Sequence, residues 1–546
     1  MKLFFIASFA LFTTAFATAQ VQYTAGPALD NDRDVKVNRM LGGDDNNFYC
    51  FRIRTKGRGT SYIVEKYDTK KLQPVFSKEV NLDDEDAKAR IEDVLYAQGN
   101  VYIFRRKYDK AGNKMTLYYQ LVSSAGQITD KLVPITTVST DHYEFVDFDI
   151  YQNPSKTKFL IKSSHKAGKE SDYSTDFIVL DGKAGLNKLW TKTISQRLSN
   201  RDVFSFNFMG IGYQSKKDFE FIGLDFDDKD NIYYCYTQES DNSTKKEKYY
   251  QLYMGTLNAE EKKPKTTELK FDDNYRVSDI KFSKTGDNEM VVAGYVKDVI
   301  ERRGRDLVKV GFFSYKVNLG ANAVSAKAMY FFDDKMLKAL ESSPKRSRYF
   351  KYKLDYILPI GDAVYYVGEQ YNEEIVTTSS SVGYSSSTYW KYEYMDVIVA
   401  KLNANGQFEW VKNVPLRNEM KMYLPHVFKQ YIAVPTEKSL YILCDDHPKN
   451  MARYEKDDYE ASDLKSVQGI HGSNFVSNQV SLANGSIKRS VVFENEDYCF
   501  APIQERDPAF IPPSTCEIFV PGKNDQIYIY TEDRGRDQFG TLKFKP

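Results

Sequence analysis

One unit recurs along this chain and limits what it can fold into. It consists of a β-prone run, an Asp/Asn/Gly turn, a second strongly β-prone run, a variable stretch, a third run, a tight polar turn and a fourth run. Residues 225–236 (DFDDKDNIYYCY) show the first turn and residues 401–414 (KLNANGQFEWVKNV) the last. The second runs have apolar cores at 48–53, 101–104, 159–161, 232–236, 290–295, 364–367, 440–443 and 527–530. The third runs and their exit turns repeat as well: 62–76, 117–132, 177–190, 397–410 and, more weakly, 311–324, with Trp190 and Trp410 at matching places after the turn. Apolar alternation running into a polar turn is the hairpin pattern.

Antiparallel four-stranded units that follow one another without helices between them must cover each other's faces, because a lone sheet of this size leaves both faces wet. The expected fold is therefore all-β: a single β-propeller of four-stranded blades filling residues 20–546. Eight blades is the favoured count, and seven follows if 421–500, the least regular stretch, is partly insertion. At roughly 65 residues per unit the repeat exceeds the 40–50 of compact propeller repeats, so the loops carry the excess. The last unit, 513–546, supplies three strands, and the missing outer strand is expected from Val21 to Thr24, so that both termini fasten the ring. One short helix is expected at Asp333–Glu341, capped by Asp333 and packed on the rim between two blades through Met336, Leu337 and Leu340.

The first residues, MKLFFIASFALFTTAFATAQ, run from a charged Lys2 through an apolar stretch to Ala17, Thr18 and Ala19. That order predicts a secretory signal over residues 1–19, cleaved to leave Gln20, and a periplasmic or extracellular protein. The apolar stretch is shorter than the ~20 residues a membrane-spanning helix needs, and no other run approaches that length. With 76 Lys+Arg against 75 Asp+Glu, the balance of charge argues against a nucleic-acid partner. Of five cysteines, Cys50, Cys235 and Cys444 fall in equivalent second runs and are expected buried and free, while Cys499 and Cys516 lie close enough for a disulfide.

Residues 356–370 (YILPIGDAVYYVGEQ), 390–415 (WKYEYMDVIVAKLNANGQFEWVKNVP), the ending FGTLKFK and the opening NNFYCFRIRTKG with YIVEKYD together resemble a family of exported bacterial β-propeller proteins to which no activity is assigned. The shared motifs are structural, so the resemblance implies fold and export rather than a chemistry.

Local catalytic signatures are missing from the sequence. The five histidines, His142, His165, His426, His447 and His471, form no HExxH pair, and there is no GxSxG elbow, phosphate-binding loop or dinucleotide fingerprint. No cofactor and no metal site is expected. The acidic run Asp225, Asp227, Asp228, Asp230, Asn231 lacks the central Gly and distal Glu of a calcium loop and reads as a β-turn.

Two surface features stand out. The loop from Tyr371 to Tyr394 has a Ser/Thr-rich tip containing Tyr384, followed by Tyr389, Trp390, Tyr392 and Tyr394, residues that suit recognition of a protein or a sugar ring; the alternative is that these aromatics pack between blades. The basic segments 301–305 (ERRGR, with Arg302, Arg303 and Arg305) and 345–353 (KRSRYFKYK) could grip an anionic glycan, or be ordinary solvated faces. The expectation is a monomeric, non-enzymatic binding or scaffold propeller of the cell envelope that recognises a protein or glycan through loops of one face. The rival is a glycan- or peptide-processing hydrolase with its site at the central channel mouth.

Overall fold

A computed structural model describes residues 21–30, 34–56, 59–80, 89–140, 146–166, 173–183, 185–196, 198, 219–239, 250–271, 275–302, 305–340, 350–379, 386–422, 428–454, 460–469, 471–496, 504–505, 519–522, 525–533 and 536–545. These residues form eight four-stranded antiparallel sheets. In chain order the blades begin at Val35, Arg90, Val146, Phe219, Tyr275, Lys351, Tyr431 and Phe519. The first seven run outward through four successive strands, and the first strand of nearly every blade lies against the first strand of the next around the axis. All eight second-run cores read from the sequence fall in second strands. The count is eight, and the irregular stretch 421–500 holds a full blade, the seventh, with an inserted helix.

The eighth blade is made by both ends of the chain. Phe519–Pro521, Gln526–Asp533 and Arg536–Phe544 are its first three strands, and Val21–Asp30 is its outer strand, paired from Val21↔Phe544 to Asp30↔Arg536. The closing strand is longer than the sequence suggested and is broken by a register shift between Ala25 and Ala28. Gly26 lies in that shift, where a Cβ would stand 2.6 Å from Phe539 O and 2.7 Å from Leu72 Cβ, so only glycine lets blade 1 lean this closely on the closing strand. Closure by a strand from the opposite terminus removes two edges that an open ring would expose.

The apolar core is not central. It is divided into eight buried clusters, one at each junction between consecutive blades, from the Tyr49–Tyr96 seam of blades 1 and 2 to the Phe48–Phe539 seam of blades 1 and 8. Alternation along each strand sends one set of side chains to the preceding blade and the other to the following blade, so every sheet is buried on both faces. The three second-strand cysteines illustrate this: Cys50, Cys235 and Cys444 are buried and free, in the seams of blades 8/1, 4/5 and 6/7. Cys499 and Cys516 lie outside the described residues, as do residues 1–20. The expected rim helix is α1 (Asp334–Ala339), with Asp333 accepting from Met336 N at 2.7 Å and Met336, Leu337 and Leu340 packed into the seam of blades 5 and 6.

An antiparallel meander puts the first-to-second and third-to-fourth turns at one end of every blade, and the second-to-third turns and blade-to-blade connections at the other. The first end, the turn face, is built of short polar turns. At Asp68 and Asn403, for instance, one side-chain oxygen accepts two backbone N–H groups of the turn. The third-to-fourth turn of a blade is also clasped by the blade before it. Lys66 donates to Ser124 O at 3.0 Å, Tyr102 to Gly182 O at 2.8 Å, Lys192 to Asn258 O at 2.7 Å, Lys316 to Ala404 O at 2.9 Å and Tyr365 to Leu482 O at 3.1 Å. Gly485 (φ +69°) lets such a turn lie against Trp410, where an added Cβ would stand only 3.0 Å from the indole ring, which places that Trp in blade packing. The opposite end, the loop face, carries the long connections 195–218, 332–350, 447–473 and 495–518.

Candidate binding site on the loop face

Blade 6 reaches beyond the ring on the loop face. Its second and third strands, Ala363–Ser379 and Ser386–Leu402, each have 17 residues and its outer strand, Phe408–Met422, has 15, against 8–10 for the second and third strands of blades 1–4. Cross-strand register sorts the side chains of this extension into two faces. Toward blade 7 lie the rows Tyr371–Tyr394, Glu373–Tyr392–Met420 and Ile375–Trp390–Met422. The other face carries Glu374–Lys391–Lys421 and Asn372–Glu393–Glu419.

The aromatic residues singled out in the sequence separate by depth. Tyr392 and Tyr394 are buried at 0% and 1% exposure, their rings 6.3 Å apart in the seam of blades 6 and 7. They follow the packing alternative and present no free surface. Burial pushes the Tyr392 hydroxyl up to about 12, and no hydrogen-bond partner reaches it among the described residues. Trp390 and Tyr389 are half-buried, with Lys421 Nζ 6.0 Å from the Tyr389 ring. Tyr384 lies outside the described residues. Sequence reading missed Ile375, which at 61% is the most exposed large apolar side chain described. Its signal was only its pairing opposite Trp390, which needs the hairpin register.

The charged face is internally neutralised. Lys391 bonds Glu393 at 2.7 Å and stands 3.4 Å from Glu419. The hydrogen bond between Lys391 and Glu393 lifts the Lys391 ammonium and holds the Glu393 carboxyl below its ordinary range. The base of the extension is buttressed by the insertion of blade 7. Met451 of α2 (Pro448–Tyr454) packs on the same cluster as Trp390, Met420 and Met422, and Val467 pairs in parallel with the outer edge, donating to Arg417 O at 2.8 Å and accepting from Glu419 N at 2.9 Å. Buried Asn450 holds this insertion through Asp446 Oδ1 at 2.7 Å and Lys465 O at 2.9 Å.

Of the basic segments, 301–305 belongs to blade 5, on the same loop face, while residues 345–349 of the second lie outside the described residues and residues 351–353 open blade 6. Arg302 and Arg305 pair at the tip of the long second and third strands of blade 5; their side chains, and all of Arg303, lie outside the described residues. Of the second segment, Lys353 is ion-paired to Asp279 of blade 5 at 2.9 Å and Lys351 to Glu373.

The channel side shows a repeat that sequence reading did not exploit. Inner strands of blades 2, 3, 5 and 6 each carry an Asp before a Val, Ile or Tyr: Asp93, Asp149, Asp279 and Asp355. Three serve a tie to a neighbouring blade, and Asp149 pairs within its own blade. Asp93 takes Arg39 of blade 1 at 2.8 Å. Asp279 accepts from Lys353 and Leu354 N of blade 6, and Asp355 from Tyr431 Oη of blade 7 at 2.7 Å. Asp149 holds Lys162 at 2.5 Å, whose ammonium sits 4.2 Å from the centroid of Phe221 in blade 4. The acidic run at 225–231 is likewise a turn. Asp227 accepts Lys229 N and Asn231 N at 2.9 Å each and Lys284 Nζ at 2.6 Å. Burial opposes its ionisation, but the bonds from Lys284 and Asn231 prevail and hold its carboxyl low. Among the described residues no group of three His, Cys, Asp or Glu side chains could hold a metal, and no helix is long and apolar enough to cross a membrane.

Comparison with known proteins leaves the assignment to the chain's own topology, which is that of an eight-bladed β-propeller. No protein-family model matches the chain, and no curated protein matches it. Among solved structures it is similar to the β-propeller domain of the Trilobed protease from Pyrococcus furiosus (8% identity, 84% of this chain and 97% of that one, TM-score 0.30). It is also similar to the Nup133 β-propeller domain of Vanderwaltozyma polyspora (11% identity, 83% and 100% coverage, TM-score 0.33) and to the GH93 α-L-arabinofuranosidase of Fusarium graminearum (13% identity, 67% and 89% coverage, TM-score 0.30). At such identities the likeness concerns fold alone.

Proposed function

We propose that this chain is an exported, non-enzymatic binding or scaffold propeller that recognises a partner protein through the loop face at blades 5 and 6. The observation that carries this is the blade 6 extension, which projects beyond the ring and leaves Ile375 in solvent and Trp390 only partly covered at the end of an otherwise buried aromatic stack. Exposed apolar side chains grouped on a rigid element mark recognition surfaces. The engagement of Asp93, Asp279 and Asp355 in ties between blades, and of Asp149 in an ion pair within its own, favours binding over hydrolysis at the channel, since a general acid or base must be free to exchange a proton with substrate. Export rests on the order of residues 1–19.

The test is affinity capture from a cell-envelope extract by residues 20–546, alongside a variant in which the segment between Thr377 and Thr388 is replaced by Asn-Gly, a tight hairpin turn. The expected result is a partner retained by the parent chain, lost by the shortened one, with the melting temperature unchanged. Turnover of glycans or peptides by the purified chain alone overturns the reading.

A further inference from the structure

The point where the two ends of the chain meet has counterparts elsewhere in the ring. Gly182 and Leu482 are each the first residue after a third strand, and a Tyr of the preceding blade, Tyr102 or Tyr365, donates to that carbonyl. In blade 8, Lys545 is again the first residue after the third strand, and Tyr441 of blade 7 donates to its carbonyl at 2.6 Å. The chain ends therefore stand where blades 3 and 7 have their third-to-fourth turns, residues 182–187 and 482–486, pressed on the blade before. The closing strand starts from this point with Val21, paired to Phe544. The end of a strand is ordinarily where it frays. Here it is the anchor: Val21 is the one buried side chain of the ten in its strand, 3% exposed, and it sits in the seam with Tyr441, Ile527, Leu542 and Phe544. Two residues on, the Tyr23 ring lies 4.6 Å from Phe493 of blade 7.

This geometry orders the events of export, and so rests on the reading of residues 1–19 as a cleaved leader. The bond to be cut, between Ala19 and Gln20, is separated from Val21 by Gln20 alone. An enzyme that takes a peptide as an extended strand needs its backbone unpaired on both sides of the bond. Val21 and Gln22, which pair with Phe544 and Lys543 in the ring, must then be out of it. We infer that the leader is removed while blade 8 is still open, and that the closed ring shields its own cleavage point. Residues 21–30 then wait for the last strand of the chain, Arg536–Phe544, whose outer edge stays unpaired until they zip onto it. In a ring that has already closed, cutting must first draw Val21 from its seam, so the rate falls with the fraction of chains open at that end. A chain that closes too early keeps its leader.

The experiment follows cleavage by a signal peptidase in detergent micelles on three substrates. These are a peptide of residues 1–30, which has no ring to join, the folded chain 1–546, and that chain with a flexible Gly/Ser spacer of about ten residues between Gln20 and Val21. The peptide and the spacer chain are expected to be cut after Ala19 at similar rates, and the folded parent roughly tenfold more slowly or less. Equal melting temperatures of parent and spacer chain show that the spacer leaves the ring closed. A second variant works from the other side. At Gly540 an added Cβ would collide with the Tyr23 ring, so Gly540→Val loosens the closing strand and is expected to speed cleavage of the folded chain. Cleavage of the folded parent as fast as the peptide overturns the inference, and so does a spacer chain that melts with the parent yet is cut no faster. A peptide left uncut after Ala19 instead removes the export reading, and this order of events with it.

Discussion

The two ends of this ring obey different rules. On the turn face, connections are short, their polar side chains are spent on their own backbone N–H groups, and blade after blade grips the third-to-fourth turn of the next with a Lys or Tyr donor. On the loop face, connection lengths vary, blade 6 grows an extension, and blade 7 inserts a helix to prop it. A repeat protein needs every junction satisfied, but it needs that only once per junction. Once the eight apolar seams and the turn-face clasps close the ring, the other end is free to vary, and the recognition surface belongs there.

The largest expected effect tests whether the ring stays rigid right up to the loop face. Arg52 of blade 1 is buried with a 3% exposed side chain; it bonds Asp537 of blade 8 at 2.5 Å and Tyr67 Oη at 3.0 Å, and also pairs with Glu65. Tyr530 donates to the same Asp537 at 2.7 Å. This cluster bolts the closing seam on its loop-face half. Arg52→Met keeps the volume but strands Asp537 in the interior, and removing one partner of a buried ion pair costs about 3–5 kcal/mol. Urea unfolding should show that loss. A change below about 1 kcal/mol, the worth of an exposed pair, would mean that rigidity belongs to the turn face alone.

A matched pair of tryptophans sharpens the same contrast. Trp410 lies where the turn of blade 7 presses on blade 6, so close that a Cβ added at Gly485 would stand 3.0 Å from its ring, with the Tyr365 ring centroid at 6.0 Å. Trp390 stands on the extension; both rings are half-buried against the same cluster, so the two differ in position rather than in burial class. Trp410→Ala should cost about 3 kcal/mol, as large-to-small changes in packed seams do, and leave partner capture intact. Trp390→Ala should cost about 2 kcal/mol, since this ring too is partly buried against the cluster, and abolish capture. Chemical denaturation and capture, run on both variants, check the pair; reversed rankings would dissolve the division of labour between the faces.

What the sequence disclosed follows the same division. The eight second strands, the capped helix α1 and the terminal closing strand were legible because each is a local pattern of alternation, capping or turn residues. Inner strands were harder, since register shifts at Ile91/Asp93, Ser278/Lys281 and Leu354/Tyr356 break the period of two. The Asp93, Asp279 and Asp355 ties make sense only across blades. At the site, the sequence offered Tyr389, Trp390, Tyr392 and Tyr394 either as a recognition surface or as packing between blades, and the structure buries Tyr392 and Tyr394. Sequence alone could not give their depth, because that depends on blade 7 and its insertion, some sixty residues away in the chain.

The smallest predicted effect probes the loop-face end of blade 7, beneath the insertion. Asp445 closes the second strand there, 4% exposed, accepting from Asn495 Nδ2 at 2.9 Å, with that same amide bonded to Ser473 Oγ at 2.9 Å. Burial raises its carboxyl well above the ordinary range; the hydrogen bond from Asn495 opposes this and the neighbouring Asp446 adds to it. The folded chain therefore holds this proton more tightly than the unfolded chain does. Its favourable contribution is complete below the unfolded carboxyl value of about 3.9 and is lost as pH rises through the folded value. Asp445→Asn keeps an oxygen acceptor for Asn495 and removes the ionisation, so its melting temperature should exceed that of the parent at pH 7, with the gain shrinking as pH falls toward 4. A gain that persists unchanged at low pH would show that the carboxyl is solvated under the insertion, and that the loop-face end of this blade is open where the turn-face end is closed.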